Sequence, residues 1–378
     1  MEDASARPQL DPARVALARA YARERRRLIP INLALSLAFF LVWWTLCHRP
    51  LVVWVEANLA NADLQVLVYV SGFGLAAMLL SLPLEMVEHT RAVRYRLSVQ
   101  TWPAWFADQA KSLAVGAVIG LPMVLILYRL LAAAPTTWWL WMGLLYLALA
   151  VVLAQLAPVL IMPLFLKFTP FDDEPLAARL RELAARAGAQ VAGVFRTDLS
   201  TKTTAANAWL SGLGRTRRIV LADTLIDHYP ADEILSVFAH ELGHHVHWDI
   251  WRGLLISAAV GLAGFWMAGL VVAWAVARFG YAGPADLSVF PWLMLALTLF
   301  GILSSPLLNG ISRRQERAAD HYALAHGPGP AAFADALTRL ANQNLADPEP
   351  PGWLVWFSYS HPPILERIAR AEGGEVGK

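Results

Sequence analysis

The residues of this chain best suited to chemistry are two imidazoles one helical turn apart with a carboxylate beside the first, in Val237-Phe238-Ala239-His240-Glu241-Leu242-Gly243-His244. Positions i and i+4 share a helix face, so His240 and His244 can direct their rings at one cation while Glu241 reaches a water held there. That is the geometry of a zinc hydrolase. The competing reading is a coincidental match on a solvated helix. Two histidines leave a catalytic zinc one protein ligand short, because such sites usually combine three with a water. Cys47 is the single cysteine of the sequence, which excludes an intrachain disulfide and a thiolate zinc site. The missing ligand must be His, Asp or Glu.

The best candidate lies in Ser312-Arg313-Arg314-Gln315-Glu316-Arg317-Ala318-Ala319-Asp320, where Glu316 and Asp320 stand one helical turn apart. Glu316 would bind the metal, and Asp320 would accept a hydrogen bond from the far nitrogen of a ligand histidine, fixing its tautomer. Spacing alone leaves a second reading open, in which both carboxylates pair with Arg313, Arg314 and Arg317 on a solvated helix. His245 and His247 rotate away from the face shared by His240 and His244 and read as interfacial polar residues. His228, His321 and His326 have no spacing that singles them out.

The elements that position these residues belong to a membrane protein. Of 378 residues, 57% are hydrophobic and only 16% charged, too apolar for an ordinary soluble chain. The net charge of +2 argues against a dedicated nucleic-acid binder. Six apolar stretches have the length a bilayer requires: Leu28 to Leu46, Val66 to Leu84, Leu113 to Ala134, Trp138 to Ile161, Gly253 to Ala277 and Phe290 to Leu308. The first follows Arg19, Arg23, Arg25, Arg26 and Arg27 but ends in Cys47-His48-Arg49, without a small-residue cleavage site. It therefore reads as a retained span, not a signal peptide. Basic residues concentrate before Leu28, in the loop at 88–111 and in the middle segment, which places those regions and both termini on the cytoplasmic side. Trp43, Trp44, Trp138, Trp139, Trp251 and Trp292 fit interfacial belts.

The predicted fold is mostly α: a polytopic bundle of about six spans with a small α+β cytoplasmic zinc-peptidase domain. Its divisions are a basic cytoplasmic segment at 1–27, four spans at 28–166, the peptidase domain with the histidine helix at 167–252, two spans at 253–308 and a helical part at 309–378 that completes the zinc site. Within the peptidase domain, Asp172-Asp173-Glu174-Pro175 opens a helix whose Leu176, Leu180 and Leu183 share a face, and Gly188 lies near its end. Strand-like runs follow at Val191 to Phe195, Ala205 to Leu210 and Arg218 to Ala222, with a turn at Gly212-Leu213-Gly214. A second helix begins near Ala231, buries Ile234, Leu235, Phe238 and Leu242, and runs almost directly into the fifth span.

Several separate blocks, in this order and with intervening spans, resemble the type I CAAX prenyl protease family of integral-membrane zinc metalloproteases. They are Pro163-Leu164-Phe165 with Lys167-Phe168-Thr169-Pro170, Asn207-Ala208-Trp209 with Arg218-Ile219-Val220-Leu221 and Asp223-Thr224-Leu225, the histidine motif, Ser312-Arg313-Arg314 with Glu316 and Ala319-Asp320, and Tyr359-Ser360-His361-Pro362-Pro363 with Glu366-Arg367. The likeness covers about the last two thirds of the chain. It implies one zinc ion held by His240, His244 and Glu316, with Glu241 as general base and Asp320 behind a ligand histidine. It also implies that Asn207 holds an extended substrate at a sheet edge, that His361 donates to the substrate carbonyl, and that Arg367 contacts substrate or anchors its loop.

The resemblance further implies a peptide or protein substrate, prenylated at a CAAX tail, and cleavage near its C-terminus at the bilayer, with no nucleic acid involved. Eukaryotic members of the family resemble seven-span proteins, whereas six are counted here, the absent one being at the amino end. Two rivals remain. One is a quality-control metalloprotease for membrane proteins. The other is a non-catalytic zinc-binding scaffold, against which Glu241 counts because a structural site needs no base.

Overall fold

A computed structural model describes residues 7–212 and 217–373 of the chain. Six helices among them are long and apolar enough to cross a membrane, in line with the six predicted stretches. The first crossing combines α1 (Pro12–Val42) and α2 (His48–Asn58), joined through a π-turn at Trp43–Cys47. It is followed by α3 (Ala62–Arg94), α4 (Trp102–Ala133) and α5 (Trp138–Leu156). Side-chain caps set two of the starts: Asp11 accepts from the Ala13 amide at 2.8 Å, and Asn61 accepts from the amides of Asp63 and Leu64 at 2.9 and 3.1 Å.

The segment expected to form the small α+β domain follows as β1 (Phe168–Pro170), α6 (Glu174–Arg186), β2 (Gly193–Thr197), β3 (Ala208–Ser211), β4 (Arg218–Ala222), α7 (Asp223–Ile226) and α8 (Ala231–Val246). Its sheet has the order β1-β2-β4-β3, with β2 and β4 parallel and both outer pairs antiparallel. The first two predicted strands begin two and three residues too early, and the third matches. β1 has no sequence signal, being three residues long and ending in Pro170 on a sheet edge. Of the predicted turn at 212–214, Gly212 adopts φ +87°, the left-handed region that favours glycine, whereas Leu213 and Gly214 lie outside the described residues.

Two spans then return through the bundle as α9 (Asp249–Phe279) and α10 (Phe290–His326), and the chain closes with α11 (Pro330–Gln343), α12 (Gly352–Ser358) and α13 (Ile364–Ala371). The expected near-continuous run from the histidine helix into the fifth span is broken at Trp248, which has φ +61°. This left-handed residue ends α8 and restarts the chain at Asp249. α10, by contrast, passes from bilayer-length apolar sequence into the peptidase region without interruption over 37 residues.

Two cores result. Leu180, Ile219, Leu221, Phe238, Leu242 and Phe333 pack α6, β4, α8 and α11 together in the peptidase domain. Tyr69, Leu131, Trp138, Val272 and Leu293 centre the bundle. Trp43 and Trp138 are therefore not interfacial anchors: they are 6% and 1% exposed, and the Trp43 indole donates to the Tyr69 hydroxyl at 3.3 Å. Their rings fill space between helices, where burial of a large aromatic outweighs the gain from a headgroup position. Lipid-facing surface is carried instead by side chains such as Val118, Leu255 and Leu303.

Candidate metal centre

α8 is buried along Ile234, Leu235, Phe238 and Leu242, and this anchoring turns His240, Glu241 and His244 toward α10. The two helices meet closely because position 243 is glycine. A Cβ there would stand 2.7 Å from the Ala319 Cα, so no larger residue fits without moving a helix. That contact sets Glu316 and Asp320, one turn apart on α10, opposite the two histidines.

The His240 and His244 Nε2 atoms lie 3.3 Å apart. Glu316 places Oε2 3.3 Å from His240 Nε2 and Oε1 3.4 Å from His244 Nε2. The three residues offer ligand atoms all within 4.8 Å of one another, the one such cluster of His, Cys, Asp or Glu among the described residues. Behind them, His240 Nδ1 is 2.8 Å from Asp320 Oδ1, and His244 Nδ1 is 2.9 Å from Asp249 Oδ2. A carboxylate can only accept, so each Nδ1 carries the proton and each Nε2 presents a lone pair. Two nitrogen lone pairs and a carboxylate oxygen then face one another with no proton between the nitrogens, and Glu316 Oε2 is buried without a hydrogen-bond donor. Such an arrangement repels itself unless a metal ion, or in its absence a second ring proton on a histidine, occupies it, and the nitrogen and oxygen donor set suits zinc. The acidic surroundings point the same way. Burial opposes charge on His244, yet hydrogen bonds to Glu316 and Asp249 carry the imidazole up to about 9. The site thus favours positive charge.

Glu241 projects beside this cluster. Burial pushes its carboxyl up, with the neighbouring histidines acting in the opposite direction. His361 reaches the cluster from the loop after α12, its Nε2 3.3 Å from Glu316 Oε1. α12 and this loop are held by α10: Arg313 donates to the carbonyls of Val355 and Tyr359 at 2.7 and 2.5 Å, and Asn309 donates to that of Phe357 at 2.7 Å. Packed protein, joined by Arg367 and opposed by Glu316, pushes His361 below the ordinary histidine value. Its side chain remains 59% exposed, open to a cavity of about 680 Å³ also lined by Arg25, Glu85, Tyr359 and Arg367.

The predicted residues are thus distributed as follows. His240, Glu241, His244, Glu316, Asp320 and His361 converge. Arg367 directs its guanidinium at Asp320, with Nε and Nη2 donating at 2.9 and 2.6 Å, while still bordering the cavity. The reading that pairs Glu316 with the α10 arginines fails: Arg317 bonds Glu366 at 2.9 Å and Arg313 bonds carbonyls. Asn207 stands immediately before β3, an outer strand that packs beside α8, and its carbonyl accepts from the Ala222 amide at 3.0 Å. Asp249, Asn309 and Arg313 escaped the sequence reading as parts of the site. Asp249 follows His244 by five residues, which on a continuous helix would point it elsewhere; only the break at Trp248 folds it back.

With fold and geometry in hand, comparison with known proteins defines the class. A family model described as Peptidase family M48 matches residues 170–375, and one described as CAAX prenyl protease N-terminal, five membrane helices, matches residues 4–167. The chain belongs to peptidase family M48 and is a multi-pass membrane metalloprotease of the CAAX prenyl protease group. It is 31% identical to the uncharacterized metalloprotease YhfN of Bacillus subtilis, over 97% of this chain and 87% of that one. It is 30% identical to a CAAX prenyl protease 1 homolog of Oryza sativa subsp. japonica, over 85% and 76%, and 29% identical to CAAX prenyl protease 1 of Saccharomyces cerevisiae, over 83% and 73%. The crystal structure of S. mikatae Ste24p shares the fold, with a TM-score of 0.86, 24% identity and coverage of 98% of this chain and 92% of that one. Where the N-terminal family description has five membrane helices, four candidate crossings lie between Pro12 and Leu164 here.

Proposed function

We propose that this protein is a zinc-dependent endopeptidase that cuts near the C-terminus of substrates held at the membrane, prenylated CAAX-like tails first among them. The observation that carries this reading is the convergence of two Nδ1-protonated histidines and Glu316 on one point, beside a carboxyl with a raised pKa. His240, His244 and Glu316 would hold one zinc ion, which supplies Lewis acidity toward a water and the scissile carbonyl.

The remaining work falls to the chain's own groups. Glu241 takes the proton from the attacking water and returns it to the leaving amine, a dual role suited to a carboxyl whose pKa burial raises. His361, with Nδ1 2.8 Å from the Ser360 hydroxyl, keeps its proton on Nε2 when that hydroxyl donates, and offers it to the carbonyl oxygen as charge develops there. Asp320 and Asp249 hold the two histidine rings in the tautomer that frees Nε2, and Arg367 fixes Asp320. Asn207, at the start of the outer strand β3, would help align the substrate backbone as a strand added to that sheet edge. Family membership favours a peptide or protein substrate, and the CAAX prenyl protease relatives favour a lipidated one.

The peptidase domain would face the cytoplasm. In support, the basic connection after α3 pairs with the peptidase domain through Val99 N to Lys202 O at 3.1 Å and Thr204 N to Leu97 O at 3.1 Å. Arg14 of α1 likewise donates to the Asn342 carbonyl at 2.9 Å, so the amino end, that connection and the domain share one side of the bundle. To test the function, the purified protein is offered a farnesylated CAAX peptide, its unprenylated twin and an unfolded membrane protein. Preferred cleavage of the farnesylated peptide is expected. Preference for the unfolded protein would favour a quality-control protease, and cleavage of none with zinc bound would reject catalysis.

A further inference from the structure

Three arginines crowd one stretch of α10, and their fates differ. Arg313 is buried against backbone carbonyls and Arg317 bonds Glu366, whereas Arg314 is exposed and has no carboxylate or hydrogen-bond partner among the described residues. Across the helix pair, Arg252 of α9 is nearly as free: its side chain is 62% exposed, makes no hydrogen bond among the described residues, and has only a long ion pair to Asp249 Oδ1 at 3.9 Å. Both arginines line one groove of about 440 Å³ between α9 and α10, whose other walls are chiefly Leu255, Ile256, Ile311 and Ala318. From Arg314 a second groove of about 470 Å³ continues along α10 past Ile311, Leu307 and Leu303.

The depth of this pair in the bilayer is marked on the surface. Leu255, Leu307 and Leu303 are 70%, 62% and 78% exposed on membrane-spanning helices, so they face lipid tails. Exposed Trp248, Trp251, Trp353 and Trp356 occupy the peptidase end of the same region, as aromatic side chains do at headgroup level. Two exposed guanidiniums, one unpaired and one held only by a long ion pair, therefore sit where tails give way to headgroups, with apolar channels running from them toward the tails.

We propose that this groove binds an anionic glycerophospholipid, its phosphate clasped by Arg252 and Arg314 and its acyl chains laid along Leu255 and along the Ile311, Leu307 and Leu303 stripe. The forked donors of two arginines match phosphate oxygens, and basic pockets between transmembrane helices are suited to acidic headgroups. The apolar walls select an acylated ligand over free phosphate. A zwitterionic headgroup would bring its own cation beside two arginines, with Asp249 as the one carboxylate at hand, and Asp249 already holds His244 through Oδ2. The site thus lies directly behind the metal centre, and its existence does not depend on which substrate the enzyme cuts.

The test uses the full-length protein in nanodiscs of mixed phosphatidylglycerol and phosphatidylcholine, with the lipid retained after transfer to detergent counted by native mass spectrometry. Wild type is expected to retain one phosphatidylglycerol in preference to phosphatidylcholine, undisplaced by excess inorganic phosphate. Arg252→Gln with Arg314→Gln should weaken retention about thirtyfold, on the order of fivefold for each arginine at a membrane surface. Arg252→Lys with Arg314→Lys should keep most of it and report that the fold survives. A control removing the same charge at the other end of the bundle, Arg129→Gln with Arg278→Gln, should leave retention unchanged. Equal retention of both lipids by wild type, displacement by phosphate, or undiminished retention in the double Gln variant would overturn the proposal.

Discussion

At the residue scale, the carboxylates behind the histidines decide whether the centre can accept a cation. Asp249→Asn replaces the carboxylate that holds His244 Nδ1–H by a neutral amide, a weaker acceptor, and zinc affinity is expected to fall roughly 10- to 100-fold, read by competition with a chelating dye. Asp320→Asn should be worse, because it also weakens the partner of Arg367, a buried cation; breaking such a pair costs about 3–5 kcal/mol, visible as a lowered thermal midpoint. His361→Ala should leave zinc content intact and lower kcat on the order of 100-fold or more, since the lost donor acts on charge that develops during reaction. Zinc loss in that variant would instead make His361 a ligand. Of these groups, the two histidines and Glu241 were legible in the sequence because helical spacing alone places them together. Glu316 and Asp320 were legible only as candidates, since two spans separate them from α8 and only tertiary packing brings them across. Asp249 was not legible: its position depends on one left-handed residue, Trp248, and no local propensity announces a left-handed tryptophan.

Among the elements, the contact of α8 with α10 at Gly243 and Ala319 does most to position the site. Gly243→Ala should force the helices apart or strain them, costing about 1–3 kcal/mol and weakening zinc binding in step with the thermal midpoint. A variant with unchanged midpoint and full zinc occupancy would show that the two helices tolerate separation. The segment at 352–361, α12 and the loop after it, is the second positioning element, and Arg313 is its tether. Arg313→Gln is expected to lower kcat with little change in bound zinc, because it frees His361 while leaving the ligand set on α8 and α10 untouched. Hydrogen exchange should rise across the loop. The spans and α8 were readable from apolar periodicity and bilayer length, which depend on many residues at once. The ends of β2 and β3, and the existence of β1, were not, because strands of three to five residues take their limits from pairing across the sheet.

For the whole molecule, the arrangement joins a bilayer-length bundle to a peptidase domain by one uninterrupted helix, α10, which carries both lipid-facing leucines and Glu316. A centre so placed suits the proposed substrates, which are themselves held at the membrane. Cysteines introduced singly near Arg14, in the loop after α3 and on α6, in a background without Cys47, should all label from the cytoplasmic face; labelling of any one from the opposite face would reverse the proposed orientation. Interfacial tryptophan placement misled at Trp43 and Trp138 because sequence position near a span end does not distinguish an outward ring from one packed between helices. The most direct test of the account is to measure zinc and cleavage together in purified Glu241→Ala. One zinc per chain with peptidase activity lost by at least about 100-fold is expected of a general base that is not a ligand. Undiminished cleavage would contradict the mechanism, and loss of the zinc would contradict the assignment of His240, His244 and Glu316 as the complete ligand set.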